Sequence, residues 1–212
     1  MLYGTAHIRW NRNQEYYKKA DWRGTWEQDG GALMNQCIHN IDLLRWMMGD
    51  EIDTVFGMTD RLIHPYIEAE DMGIALIRFS NGSYGIIEGT TNIYPKNLEE
   101  TLYIFGEKGT VKAGGQSVNR IEEWNFADCL DNPEEIKKKY SENPPNIYGF
   151  GHTKLYQNVV AAINGKEKLL VDAEAGKRAL ELVLAIYQSS YTGLPVGFPL
   201  EKCATTDYKG RF

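Results

Sequence analysis

Hydrophobic positions change their period several times along the chain, and each change marks an element. Tyr3 to Trp10 has the composition of a strand. From Gly31, "GALMNQCIHNIDLLRWMMG" carries apolar residues at helical spacing as far as Gly49, a glycine suited to the C′ position. "EIDTVFGMTDRLI" and "GIALIRFS" are rich in β-branched and aromatic residues and predict strands. Asn81-Gly82 predicts a type I′ turn into a returning strand, "SYGIIEGTTNIY". "TLYIFGEKGTVKA" predicts a second hairpin around Glu107-Lys108-Gly109. Two helices close the chain, one from His152 to Asn164 stopped by Gly165, the other from an Asp172 N-cap to Gly193. Residues 11–28 read as an ordered polar and aromatic loop, and residues 128–150, with Pro144-Pro145, as a long surface excursion.

The order strand, helix, several antiparallel strands, helices predicts an α+β fold of two layers. Helices lie on one face of a large, mostly antiparallel sheet. The segment 73–79 is apolar on both faces, with Ile74 and Leu76 on one side and Ala75, Ile77 and Phe79 on the other. The face away from the helices is expected to meet a second subunit; cover by the C-terminal helices or a loop is the alternative.

Composition narrows the classes. The 212 residues are 42% hydrophobic and 25% charged, ordinary for a globular domain with a sizeable core. A net charge of −6 argues against a nucleic-acid partner. No apolar run predicts a membrane span, and no signal peptide is visible. Cys37, Cys129 and Cys203 are far apart, form no disulfide or metal spacing, and read as reduced thiols of a cytoplasmic protein.

The chemistry concentrates on the opening helix. Asn35, His39 and Asp42 are spaced to share one helical face. His39 can exchange a proton with an alcohol near neutral pH, or be a satisfied structural histidine. Asn35 can fix a substrate hydroxyl, and Asp42 can orient the imidazole or simply be solvated. Gly30-Gly31 offer close backbone approach and free N–H groups for an anionic or polyhydroxy ligand. Arg9, Arg12 and Arg23 stand among Trp10, Tyr16, Tyr17, Trp22 and Trp26. They can clamp phosphates beside stacking aromatic faces, or rim an aromatic core. His64, Glu68, Glu70 and Asp71 fit no metal-ligand spacing and read as a solvated loop. His152 is either a ligand contact or a helix start. There is no Ser-His-Asp signature, P-loop or zinc motif.

"GGALMNQCIHNIDLLRWMMG", "FSNGSYGIIEGTTNIYP", "LYIFGEKGTVKAGG", "GFGHTKLYQNVVAAINGKEKLLVDAEAGKRALELVLAIYQSS" and "TTDYKGRF", in this order, resemble the Gfo/Idh/MocA oxidoreductases. "RWNRNQEYYKKADWRGTWEQDGGALMNQ" and "PPNIYGFGH" resemble the nucleotide-sugar 3-dehydrogenases within that family, which act on UDP-N-acetylglucosamine-type or UDP-N-acetylglucosaminuronate-type sugars. The resemblance implies oxidation of a sugar hydroxyl to a ketone, with the hydride passing to NAD or NADP. It implies that His39 is the acid/base and that Asn35, where many members carry aspartate, orients the substrate. Arg9, Arg12 and Arg23 become contacts for a diphosphate or uronate, and Tyr148 and His152 line the sugar pocket. It further implies that residues 1–212 are the substrate-binding and oligomerising half of an enzyme. The family's Rossmann domain, with its glycine-rich turn and Lys-Pro motif, is not in the chain, so the cofactor is held mainly elsewhere. The chain alone is then expected to be inactive, and to form a homodimer or homotetramer through its sheet. The rival reading is a non-catalytic sugar-binding or assembly module.

Overall fold

The computed structural model describes residues 1–49, 51–115, 118–128, 131–141 and 151–212. In chain order it runs β1 (Tyr3–Arg9), α1 (Gln14–Tyr17), a π turn (Leu33–Cys37) continuing into α2 (Ile38–Met48), then β2 (Ile52–Asp60), β3 (Met72–Phe79) and β4 (Tyr84–Thr90). β5 (Glu99–Gly106), β6 (Gly109–Gly114), β7 (Arg120–Phe126), α3 (Pro133–Lys139), α4 (Gly151–Ile163), α5 (Ala173–Thr192) and β8 (Val196–Gly197) follow. The strands form one sheet in the order β7-β6-β5-β1-β4-β3-β2-β8. β1 is parallel to β4, and the other neighbours are antiparallel. The α+β class expected from the element order is therefore the observed one.

Period-two alternation sets the layers. Gly73, Ala75, Ile77 and Phe79 of β3 are buried under helices, while Ile74 and Leu76 are exposed on the other face. α2 and α5 share the helical layer: Leu44 and Met48 of α2 press on β1 at Gly4, and Ile186 of α5 on β2 at Gly57. Each such fully buried side chain contributes about 1.5–3 kcal/mol. The open face carries Phe56, Met58, Ile74, Leu76 and Tyr84, all exposed.

Gly49 ends α2 as expected, at φ 120°, and Asn81 Nδ2 donates to the terminal Met48 carbonyl at 2.7 Å. The turn that carries Asn81 is not type I′. Only Gly82 has positive φ; Gly82 N–H donates to Phe79 O, and Phe79 N–H to Ser83 O, both at 2.9 Å. That is a three-residue loop with a glycine bulge, which frees Asn81 to close the helix end. α1, β7, α3 and β8 go beyond the sequence expectation. "RIEEWNF" is polar on both faces, so period-two contrast is missing from β7.

The acidic segment before β3 is a correction. It is not a solvated loop: His64 is 3% exposed, and Glu70 and Asp71 are 0% exposed. Asp71 accepts from the backbone N–H groups of Leu62, Ile63 and His64 at 2.9–3.0 Å, and pairs with His64 Nδ1 at 3.0 Å. Despite its burial, these donors hold its carboxyl down at about 2. Glu70 goes the other way: burial pushes its carboxyl up to about 8. The folded state therefore keeps a proton that the unfolded chain releases near 4.5, so this group's stability contribution is fullest below about pH 4.5 and is lost by about pH 8. Glu70→Gln should flatten the fall in stability across that window, read as Tm against pH. An unchanged slope would show that Glu70 is ionised in the folded protein.

Candidate active site

The first turn of the site helix is held from below. Leu33 N–H donates to Glu70 Oε1 at 2.8 Å, Ala32 N–H to Glu70 O at 3.0 Å, Gly31 N–H to Tyr187 Oη at 3.4 Å and Gly30 N–H to Thr25 O at 2.8 Å. The N–H groups expected to be free for an anionic ligand at Gly30-Gly31 are thus already capped by protein. Gly31 is required for closeness: a Cβ there would lie 1.7 Å from Glu70 Oε2.

The π turn changes the polar stripe. With its wider turn, Asn35, His39 and Asp42 do not follow one straight α-helical line. Asn35 is half-buried, donates through Nδ2 to Asp29 Oδ1, and accepts through Oδ1 from Gln36 Nε2 at 2.8 Å. Asp29 also accepts from Gly24 N–H at 2.7 Å, and burial raises its carboxyl. An amide suits the place: an aspartate at 35 would set two carboxylates face to face. His39 is exposed, and no hydrogen bond or ion pair engages its ring among the described residues. Asp42 does not orient it. The Asp42 carboxylate, partly solvated, pairs with the buried Arg45 at 2.7 Å, so of its two expected readings the imidazole's partner is not the one observed.

The polar and aromatic loop joins this helix through Tyr16. Gln36 Nε2 donates to Tyr16 Oη at 2.9 Å. The guanidinium carbons of Arg23 and Arg12 lie 4.0 and 4.9 Å from the Tyr16 ring centre; Arg12 is also 4.6 Å from Trp10, and Arg23 5.0 Å from Trp22. Neither arginine has a carboxylate ion pair among the described residues, and the Nε of each is buried without a hydrogen-bond partner. Two positive groups are therefore stacked on aromatic faces with hydrogen-bonding capacity in reserve. The aromatic-core alternative holds for part of the same stretch: Trp26 is 1% exposed and sits edge-on to Tyr187 at 5.3 Å.

Arg9 does not join them. Residues alternate along β1, so Arg9 points to the open face, away from buried Ile8. There its guanidinium is engaged by Glu88 at 2.5 and 2.7 Å and by Glu99 at 2.7 Å. Its expected contact with a diphosphate or uronate is thereby corrected to a structural ion network. His152 lies exposed in the first turn of α4, and Tyr148 falls outside the described residues. Asp29 and Gln36 are the participants that sequence reasoning missed, as is the hydroxyl bond that ties Tyr16, expected only as a stacking face, to Gln36. Among the described residues, no group of three His, Cys, Asp or Glu side chains could hold a metal ion, and no helix is long and apolar enough to cross a membrane.

The chain is similar to proteins of known structure. The solved structure of WlbA dehydrogenase from Bordetella pertussis, in complex with NADH and UDP-GlcNAcA, is 42% identical at a TM-score of 0.85, over 94% of this chain and 57% of that one. WlbA from Chromobacterium violaceum, with the same two ligands, is 38% identical at 0.83, over 95% and 55%. The oxidoreductase YrbE of Bacillus subtilis is 27% identical over 79% of this chain and 48% of its own length. The chain thus spans about half the length of these relatives. A family model described as "Oxidoreductase family, C-terminal alpha/beta domain" matches residues 2–198. The chain belongs to that family, the Gfo/Idh/MocA oxidoreductases, and corresponds to its C-terminal alpha/beta domain.

Proposed function

We propose that this chain is the substrate-binding half of an NAD-dependent dehydrogenase that oxidises a hydroxyl on a nucleotide sugar. The observation that carries this reading is the bonded path from the Arg12–Tyr16–Arg23 stack through Gln36 to Asn35, one turn from the exposed His39. Support comes from the WlbA complexes, which hold UDP-GlcNAcA and NADH in proteins 38–42% identical to this chain.

The roles follow from the side chains. Arg12 and Arg23 contact the diphosphate with charge-assisted hydrogen bonds. Asn35 keeps its amide fixed through Asp29 and Gln36, presenting one orientation to a sugar hydroxyl. His39 takes the hydroxyl proton as the carbinol carbon loses its hydride. NAD supplies the hydride acceptor. No glycine-rich strand-to-helix turn occurs among the described residues, so the dinucleotide is held mainly by a domain outside these 212 residues. Arg12→Ala or Arg23→Ala should weaken UDP-sugar binding by about tenfold or more, since each removes a charged hydrogen-bond donor. Binding that stays within a factor of about two in both would remove the diphosphate assignment.

The open sheet face is proposed as the surface through which copies associate. Phe56, Leu76 and Tyr84 give it an exposed apolar stretch that water covers poorly. Leu76→Asp should convert the assembly to monomers in light scattering with Tm little changed, and a variant of unchanged mass would place the contact elsewhere.

A further inference from the structure

One buried carboxylate has no part in the site described so far. β5 alternates so that Glu100, Leu102 and Ile104 point to the helical layer, while Glu99 points to the open face and pairs with Arg9. Glu100 is 7% exposed, and its Oε2 has no hydrogen-bond partner among the described residues. Burial pushes its carboxyl up to about 7, and the Arg12 guanidinium opposes that rise. Arg12 donates through Nη1 to Asn11 O at 2.7 Å and to Asn97 Oδ1 at 3.2 Å, and its buried Nε has no partner among the described residues. An unpartnered buried carboxylate is costly to the fold, and an apolar side chain here would be cheaper. Its position in the field of a guanidinium assigned to the diphosphate gives it a use.

We propose that Glu100 is a positioning residue for Arg12: its carboxylate is the guanidinium's counter-charge while no anion is bound, and it takes one proton from solvent when a diphosphate replaces it. This rests on the reading of Arg12 and Arg23 as diphosphate contacts. The charged group that acts on Glu100 is Arg12, from the segment after β1, while Glu100 in turn helps burial keep the thiol of Cys37, in the π turn, protonated. Glu99, on its own strand, is turned away and satisfied by Arg9 and Thr101. A bound diphosphate cancels the field of Arg12 and adds negative charge nearby, so the complex holds the Glu100 proton more firmly than the free protein does. Affinity must then fall as pH rises through the neutral range.

The test is calorimetric titration of the 212-residue chain with UDP-N-acetylglucosamine near pH 6 and pH 8, in two buffers of different ionisation enthalpy. The diphosphate diester of this probe keeps its charge across that range, so any protons counted belong to the protein. Binding should be about tenfold weaker at the higher pH, with close to one proton taken up there, and Glu100→Gln should bind alike at both and take up none. A variant that keeps the wild-type pH dependence overturns the role. So does a wild-type protein that binds without proton uptake, a result independent of whether the variant folds. If the probe fails to bind at either pH, the diphosphate reading falls and takes this one with it; failure of the proton count alone leaves the diphosphate reading standing.

Discussion

Replacing His39 by alanine, in an enzyme that pairs this chain with a dinucleotide-binding half, should lower turnover about 10²–10⁴-fold and leave substrate affinity within a few-fold. The size follows from the ring's situation. His39 is exposed and has no hydrogen bond or ion pair among the described residues, so its removal strands no partner and costs little stability. Whatever is lost is proton transfer. Steady-state kinetics and a melting curve on the same variant separate the two effects. Unchanged turnover with unchanged Tm would favour the non-catalytic module.

The second large effect is structural. Gly31→Ala would place a Cβ 1.7 Å from Glu70 Oε2, 2.1 Å from its Cδ and 2.3 Å from its backbone oxygen. Three atoms on two sides of the contact include backbone, so no rotamer change relieves it. Overpacking at a buried seat, with loss of the Leu33 and Ala32 caps, should cost about 3–5 kcal/mol. In a domain of this size that is a fall in Tm of about 10 °C. Thermal denaturation checks it, and Gly31→Ala combined with Glu70→Ala should recover part of the loss. A single variant that melts within about 2 °C of the parent would mean the seat is looser than it stands.

Much of this was legible before any coordinates. Alternation in β3 and the glycine stop at Gly49 marked their elements because each is a local signal. Residue type alone left His39 open between an acid/base and a satisfied structural histidine, and the acid/base role came from the resemblance of its motif. What failed was long-range. Glu70 caps a turn formed some forty positions earlier, and nothing near Gly31 announces it. The link from Tyr16 through Gln36 to Asn35 and Asp29 exists only once the loop folds back on the helix. The π turn leaves no mark in an apolar pattern that suits an α-helix equally well. Arg9 was grouped with Arg12 and Arg23 by nearness along the chain, yet its parity with buried Ile8 turns it to the opposite face.

The parallel pairing of β1 with β4 also governs the order of events in folding. β1 precedes the other strands of the sheet along the chain, but both neighbours it needs lie far downstream: Tyr3 pairs with Tyr84 on one side and with Phe105 on the other. The earliest strand thus waits unpartnered while the middle of the sheet is made, a non-local closure that slows folding. The segment carrying Arg12, Tyr16 and Arg23 hangs directly from β1 and shares the delay. The placement of that loop therefore depends on pairings that only the long-range closure of the sheet can make.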